Sequence, residues 1–371
     1  MWQPVLMISG YFISVLGLAM LVPAAVDIYV TGVNWSYFIT SSIISVFIGL
    51  SLFLANNNKI KNISLQQAYL LTAISWFSVT LLAAIPFILY GIPHADAVFE
   101  AASGISTTGA TIFGNVEALP QSILLWRALL NGLGGVGIVI FAIAMLPFLG
   151  IGGMQIFQRE NSDVNEKFMP KISYIAKRII IVYVTLIGLC MLALKTAGMG
   201  WFDAVCHSMS TIATGGLSTK NTSIGAFHSP SIEWIITLFM FLGAIPLTFY
   251  HSLLATRNIH SIRSSQVIVF AKVLGFYIIG VTLWLWWGGV YGFWTALRQA
   301  AFNVTSIVTS TGFTSSDYLK WGIFSGTLFI VFALTGGCTG STSGSIKIYR
   351  WQVVFAPVSY THLTLPTKLE V

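Results

Sequence analysis

The stretch ADAVFEAASGISTTGAT at residues 95–111 decides the fold, because its pattern returns as FDAVCHSMSTIATGGLS at 202–218 and as TALRQAAFNVTSIVTSTGFT at 295–314. In the first two copies an aspartate, Asp96 or Asp203, precedes the tip glycine by 13 residues, and Gln299 takes that position in the third. Each copy predicts a short, semi-apolar helix of about 12 residues that ends in a Ser/Thr/Gly tip.

Long apolar stretches lie on both sides of each copy. A bilayer core needs about 20 apolar residues per helix. Stretches of this kind occur at about 4–30, 36–55, 64–92, 121–149, 173–197, 231–255 and 266–289, and an eighth begins near Trp321. A helix of about 12 residues is too short to cross, so each copy is predicted to enter the membrane and turn back. Non-helical backbone at that depth must be buried in protein or line a watery cavity.

The composition excludes a soluble protein. Of the 371 residues, 56% are hydrophobic and only 8% are charged, and the mean hydropathy is +0.84. The first apolar stretch lacks a basic leader and a small-residue cleavage site, so we interpret it as a retained helix. The cysteines Cys190, Cys206 and Cys338 have no metal-like spacing and are predicted to be packing residues.

The net charge is +7, but the basic residues are distributed as in a membrane protein, so the charge does not indicate nucleic acid binding. Ten of the 18 basic residues fall in or beside alternate connections, which the positive-inside rule assigns to the cytoplasm: Lys59, Lys61, Arg159, Lys167, Lys171, Lys177, Arg178, Arg257, Arg263 and Lys272. The N-terminus is then cytoplasmic. The connections around 31–36, 93–120, 198–230 and 290–320 are predicted to face outside.

The tips suit a monovalent cation. Such an ion needs uncharged oxygen ligands, because a fixed carboxylate would hold it too tightly for release. Backbone carbonyls and threonine hydroxyls are such ligands, and glycine permits the backbone angles that turn successive carbonyls to one side. The negative end of each short helix also points at its tip. The alternative interpretation is that the three copies are ordinary extracellular loops rich in Ser, Thr and Gly.

The three copies, together with GGCTGSTSGSIKIYR at 336–350, resemble the TrkH/KtrB potassium-transporter superfamily, and the preceding helix pair resembles its TrkH branch. The resemblance covers about residues 1–356. It implies an all-α polytopic membrane protein in which repeated helix, pore-helix and helix units surround a pseudo-fourfold pore, with the fourth unit absent from this chain. By resemblance, the potassium selectivity filter consists of Thr107, Thr108, Gly109, Ala110, Thr214, Gly215, Gly216, Leu217, Ser310, Thr311, Gly312 and Phe313.

The stretch CTGST at 338–342 is not a fourth filter, because only 28 residues separate Gly312 from Gly340. Two spanning helices and a pore helix do not fit in that length. Residues 336–345 are instead predicted to break the closing helix of the third unit. By resemblance they form an intramembrane gate, for which the residues are Gly336, Gly337, Cys338, Gly340, Ser341, Thr342, Gly344 and Arg350. Arg350 either charges the inner mouth or anchors the helix at the interface, and anchoring is favoured for Lys347.

The repeat divides the chain into an N-terminal two-helix extension at 1–63 and pore units at 64–150, 151–256 and 257–357. The tail at 358–371 is interpreted as non-native, since VSYTHLTLPT at 358–367 is similar to a translated sequencing adapter.

Several polar residues near the tips have predicted structural roles. Asp96 and Asp203 are predicted to cap the pore helices, with attraction of cations as the alternative. His207 occupies the repeat position of Glu100 and is predicted to be a packed or hydrogen-bonded residue, with a ligand role as the alternative. Ion pairs are expected for the two outer arginines, Arg127 and Arg298, with partners that the sequence does not identify.

Three other functions are less consistent with the sequence. Gly132, Gly134 and Gly137 match a dinucleotide fingerprint, but they lie in an apolar helix, where small residues allow close packing. An ion-coupled secondary transporter would need inverted repeats and mid-membrane ionisable groups. An intramembrane hydrolase would need paired acids at bilayer depth. No catalytic residue, no cofactor and no metal beyond the permeating K⁺ are therefore predicted.

The resemblance also implies partners. Members of the superfamily work as homodimers in the inner (plasma) membrane and bind a cytoplasmic nucleotide-binding regulatory subunit of the TrkA/KtrA type. The basic segments at 150–178 and 255–272 are the expected docking surface. Selectivity for K⁺ over Na⁺, and channel against coupled transport, stay open at this point.

Overall fold

The computed structural model describes residues 2–56, 64–149, 164–250 and 265–363. Within them the regular secondary structure is helical, apart from one isolated bridge between Thr335 and Ile346. The helices are α1 Gln3–Ala19, α2 Leu21–Val30, α3 Trp35–Ala55, α4 Leu65–Ala83, α5 Ile85–Leu89, α6 His94–Ile105, α7 Gln121–Leu149, α8 Val164–Thr196, α9 Trp201–Ile212, α10 Pro230–Gly243, α11 Ser265–Trp287, α12 Phe293–Val308, α13 Ser325–Leu334 and α14 Ile348–Leu363. The all-α prediction is confirmed.

Five helical spans in the described residues are long and apolar enough to cross a bilayer: Gln3–Val30, Trp35–Ala55, Gln66–Leu89, Ala176–Thr196 and Gln266–Trp287. The 29-residue helix α7 covers the predicted stretch at 121–149. One predicted span is wrong. The stretch at 231–255 is not a continuous helix, because α10 ends at Gly243 and helical geometry resumes only at residue 247, after Pro246.

The N-terminal helix pair packs closely. A side chain at Gly10 would approach the carbonyl oxygen of Gly49 to 2.6 Å, so α1 and α3 touch through their backbones. The buried carboxylate of Asp27 ties this pair to α7, since its Oδ1 accepts from Ser122 Oγ at 2.8 Å and its Oδ2 from Asn34 N at 2.7 Å.

The pore helices α6, α9 and α12 follow Pro93, Gly200 and Gly292. The capping prediction is wrong in its detail. Asp96 and Asp203 lie in the first turn of α6 and α9, but neither N-terminus has a side-chain cap at its first position. Asp203 instead accepts from Thr219 Oγ1 at 2.6 Å, so it holds the chain that leaves the second tip.

Two other predictions about small residues are confirmed. The fingerprint glycines lie within helix α7, and Gly134 lies so close to the carbonyl of Ile105 that a methyl group would overlap with it. Cys190, Cys206 and Cys338 are free and buried. The predicted non-native tail runs through α14 to Leu363 and then lies outside the described residues. The boundaries of the predicted units stay a prediction.

Candidate functional site

The three tips share one backbone conformation. Each has a left-handed residue, a right-handed or extended residue, and a left-handed glycine. The φ angles are +55° and +79° at Thr107 and Gly109, +52° and +75° at Thr214 and Gly216, and +58° and +83° at Ser310 and Gly312. Alternation of left- and right-handed residues places amide groups on one side of the chain and carbonyls on the other. The sequence predicted the glycines, but not the matching angles at Thr107, Thr214 and Ser310.

The amide groups of the tips are bound back to the pore helices. The second residue of each tip donates its N–H to the carbonyl of a serine five residues earlier: Thr108 to Ser103 at 2.9 Å, Gly215 to Ser210 at 2.9 Å, and Thr311 to Ser306 at 2.8 Å. In the described residues, no hydrogen bond ends on the carbonyls of 107–109, 214–216 or 310–312. In each tip the first two N–H groups are therefore bonded to the pore helix, and the three carbonyl oxygens are available.

The tips are neighbours in space. A side chain at Gly109 would overlap with the carbonyl oxygen of Gly215, and one at Gly216 would overlap with the carbonyl oxygen of Thr311. The first tip thus lies against the second and the second against the third. The alternative of separate extracellular loops does not agree with this arrangement.

Serine side chains fix the residue after the tip glycine. Ser103 Oγ donates to the carbonyl of Ala110 at 2.5 Å, and Ser306 Oγ donates to that of Phe313 at 2.6 Å. These two carbonyls are therefore bonded to the scaffold, although the sequence grouped Ala110 and Phe313 with the tips. Leu217 and Phe313 are buried, so their side chains pack into the core.

A polar residue at one repeat position of each pore helix holds the chain that leaves the tip. Glu100 Oε2 accepts from Ile112 N at 3.0 Å, and Asn303 Oδ1 accepts from Ser315 N at 3.3 Å. In the second unit His207 Nε2 and Ser218 Oγ are hydrogen-bonded at 2.9 Å, while His207 Nδ1 lies 2.8 Å from the carbonyl of Asp203. The prediction of a hydrogen-bonded His207 is confirmed.

The two outer arginines form the expected ion pairs. Arg127 Nε lies 2.6 Å from Glu100 Oε1, and both side chains are buried. Arg127 Nη1 also donates to the carbonyl of Ser218 at 3.2 Å, so this pair connects the first tip to the second. Arg298 Nε lies 3.2 Å from Glu233 Oε2, within ion-pair distance but without hydrogen-bond alignment. Neither acidic partner could be identified from the sequence.

The three connections that contain the tips, at about 93–120, 198–230 and 290–320, are called here the first, second and third segments. They are joined to one another by contacts that sequence reasoning missed. Asn221 in the second segment accepts from Val116 N at 2.7 Å and donates to Asn115 Oδ1 at 2.9 Å in the first. Gly225 N donates to the carbonyl of Thr314 in the third segment at 3.1 Å. These bonds hold the three tips in fixed positions relative to each other.

The predicted break in the third closing helix lies directly against the tips. The segment 336–345, which we call the intramembrane loop, leaves α13 after Leu334 and is closed at its base by a bond from Gly336 N to the carbonyl of Ile346 at 2.9 Å. Thr342 Oγ1 lies 3.3 Å from Thr214 Oγ1. Gly344 N donates to Ser310 Oγ. The loop therefore touches the first residue of two tips.

Two basic residues follow the loop. Lys347 Nζ donates to the carbonyl of Ser343, so this side chain turns into the loop and does not extend away as an interfacial anchor, which corrects the expectation. Arg350 lies in the first turn of α14 and is exposed. Within the described ranges, no group of three or more His, Cys, Asp or Glu side chains is arranged to hold a metal ion.

Comparisons with known proteins agree with this architecture. A family model described as TrkH, cation transport protein, matches residues 35–281. The chain is 40% identical over 291 residues to the Trk system potassium uptake protein TrkI of Halomonas elongata. This alignment covers 77% of this chain and 59% of TrkI. It is 34% identical over 355 residues to TrkH of Escherichia coli, covering 94% of this chain and 74% of the relative.

A solved structure is also similar. The crystal structure of the potassium transporter TrkH from Vibrio parahaemolyticus matches all of this chain and 78% of its own, with a TM-score of 0.90 and 29% sequence identity. The chain spans 59% of the length of TrkI and about three quarters of the other relatives named here.

Proposed function

Because the chain belongs to the TrkH family of cation transport proteins, we propose that it forms the potassium-conducting part of an uptake system. The relatives are named as potassium uptake proteins, and this name indicates transport, not enzymatic activity. The observation that carries the proposal is the set of unbonded carbonyls on three adjoining tips. These oxygens can replace the water around a K⁺ ion without binding it too tightly to leave.

The proposed selectivity filter is formed by 107–109, 214–216 and 310–312. The bonds of the amides to the pore helices and the serine contacts at Ala110 and Phe313 hold the carbonyls in place, so an ion does not have to organise them. The C-terminal ends of α6, α9 and α12 support this role, since their partial negative charge favours a cation at the tip.

The proposed gate is the intramembrane loop. It touches Thr214 and Ser310, the first residues of the second and third tips. The loop therefore lies at the end of the filter that faces Lys347, where an ion would leave the filter. Polar backbone of this kind is tolerated inside a membrane where it is buried in protein or lines a cavity. Movement of the loop would open the path without altering the filter.

We also propose the partners that the resemblance implies. The chain would act as a homodimer in the inner membrane with a cytoplasmic N-terminus, and a nucleotide-binding subunit of the TrkA/KtrA type would dock on the basic segments at 150–178 and 255–272. Much of both segments lies outside the described residues. The chain itself would need no cofactor. Tight binding of ATP or NAD to the purified chain alone would contradict this division of roles.

Uptake of rubidium into liposomes that contain the intact protein tests the proposed function. External K⁺ should compete with Rb⁺ uptake, whereas Na⁺ should compete weakly. Gly216→Ala should abolish uptake, because the added methyl group would overlap with the carbonyl of Thr311. Gly114→Ala is the matched control, since no atom lies within 4 Å of its added methyl group among the described residues. Equal uptake by both variants would refute the filter.

A further inference from the structure

Helix α10 is interrupted inside the membrane, at a point that the sequence did not predict. It ends at Gly243, and Pro246 has no N–H with which to continue it. In an unbroken helix the carbonyls of Leu242, Gly243 and Ala244 would each accept from the amide four residues later. Within a bilayer each of these groups needs a replacement partner.

The intramembrane loop supplies most of the replacements. The carbonyl of Ala244 accepts from Cys338 N at 3.0 Å. The carbonyl of Gly243 lies 3.2 Å from Thr342 Oγ1, whose single proton it shares with the carbonyl of Ile212 at 2.9 Å. On the far side of the break, Leu247 N donates to the carbonyl of Gly340 at 3.1 Å.

The remaining carbonyl, that of Leu242, would have bonded the missing N–H of Pro246. It accepts instead from the hydroxyl of Tyr250 at 2.7 Å and, more weakly, from Ile245 N at 3.3 Å. Tyr250 thus donates the shorter of the two hydrogen bonds to the one carbonyl of the break that the loop does not reach.

The contact is close as well as hydrogen-bonded. A methyl group at Gly337 would lie 2.9 Å from Ala244 Cβ, and one at Gly340 would lie 3.8 Å from Pro246 Cβ. The loop therefore fits against the break through its glycines, while its other side reaches Thr214 and Ser310 of the filter.

The same groups have a second way to pair. If α10 became continuous, Leu247 N and the next amide would bond the carbonyls of Gly243 and Ala244, and these groups would no longer be available to the loop. The two arrangements exclude each other. A loop that left without this exchange would leave buried donors and acceptors without partners in an apolar environment, which is strongly unfavourable.

We propose that Pro246 and Tyr250 are positioning residues for the gate: they keep α10 broken, the break holds the intramembrane loop under the filter, and continuity of the helix across the break releases it. The proposal rests on the proposed function of the loop as a gate. The expected docking surface at 255–272 begins five residues after Tyr250 in the sequence.

The test compares Pro246→Ala and Tyr250→Phe in the intact protein, reconstituted without its regulatory subunit. Pro246→Ala restores an amide that competes for the carbonyl of Leu242, so Rb⁺ uptake should rise about three- to tenfold, the factor that corresponds to one net hydrogen bond. Tyr250→Phe should also raise Rb⁺ uptake, but by a smaller factor. The Rb⁺/Na⁺ ratio should stay as in the wild type, because the filter is untouched.

Pro230→Ala is the control for loss of a proline from the same helix. Pro230 lies in the first turn of α10, where no N–H is needed, so uptake should not change. Hydrogen exchange gives a readout independent of flux: amides of 338–344 should lose protection in Pro246→Ala. Those of 247–250 should keep theirs.

Unchanged uptake together with unchanged exchange in a folded Pro246→Ala protein would overturn the proposal, and so would lower uptake with more protection of the loop. If Pro246→Ala does not fold, Tyr250→Phe decides by the same two measurements. Absence of Rb⁺ uptake in the wild type and every variant would instead contradict the proposed function, while the exchange data would still decide whether the break holds the loop.

Discussion

The side-chain amide of Asn131 lies directly behind Gly215, the middle residue of the second tip. A methyl group at Gly215 would approach Asn131 Oδ1 to 2.9 Å, and Asn131 Nδ2 donates to Ser210 Oγ at 3.0 Å. Asn131 is fully buried, and its Oδ1 has no hydrogen-bond partner in the described residues. The closing helix of the first unit therefore positions the tip of the second.

Gly215→Ala should abolish Rb⁺ uptake, because the added methyl group and the Asn131 amide cannot occupy the same space. The φ angle at 215 is not left-handed, so alanine is otherwise permitted there. The double variant Asn131→Ala/Gly215→Ala removes the overlap and should recover part of the uptake. Both are measured by Rb⁺ uptake into liposomes at matched protein content.

Gly188→Ala is the control for this series, because no atom lies within 4 Å of its added methyl group in the described residues. It should transport as the wild type does. If the double variant were no more active than Gly215→Ala, the role of Asn131 as the limiting neighbour would be wrong.

Glu100→Gln should destabilise the protein strongly, since it leaves the guanidinium of Arg127 buried without a counter-charge. Removal of one partner from a buried pair costs about 3–5 kcal/mol. The purified protein should therefore show a clearly lower melting temperature. Thermal unfolding in detergent, followed by size-exclusion chromatography, measures the effect.

Glu233→Gln gives the comparison, because its partner Arg298 is 23% exposed and the pair is not aligned for a hydrogen bond. Glu233→Gln should lower the free energy of unfolding by about 1 kcal/mol or less. A larger loss from Glu233→Gln than from Glu100→Gln would contradict the assignment of Arg127 and Glu100 as the main brace between the first two tips.

Gly109→Ser should lower the selectivity for K⁺ over Na⁺. Its side chain would displace the carbonyl of Gly215 and strain a residue whose φ is +79°. If displacement of this carbonyl weakens the preference of the filter for K⁺ over Na⁺ by ~1.4 kcal/mol, the selectivity ratio of K⁺ to Na⁺ falls tenfold. Competition of Na⁺ with Rb⁺ uptake measures it. Gly312→Ser has similar strain but no described atom within 4 Å, so it should change selectivity less.

The order of the elements was predictable from the sequence, because it depends on local patterns. Apolar length separates spanning helices from pore helices, and the spacing of Gly109, Gly216 and Gly312 places the tips in one frame. The break at 336–345 was visible for the same reason, since four glycines within ten residues do not favour a helix. The buried state of the cysteines also followed from their apolar surroundings.

What the tertiary structure alone decided is which distant groups meet. The pairing of Arg127 with Glu100, the contact of Asn131 with Gly215 and the break at Pro246 depend on how helices from different units pack. The stretch at 231–255 is largely apolar in its first half, apart from Glu233 near its start, and was predicted to be one helix. A proline can be accommodated in a membrane helix when other groups take over the freed bonds. Here the groups of the intramembrane loop that take over are more than 90 residues away in the chain, and only packing brings them to the break.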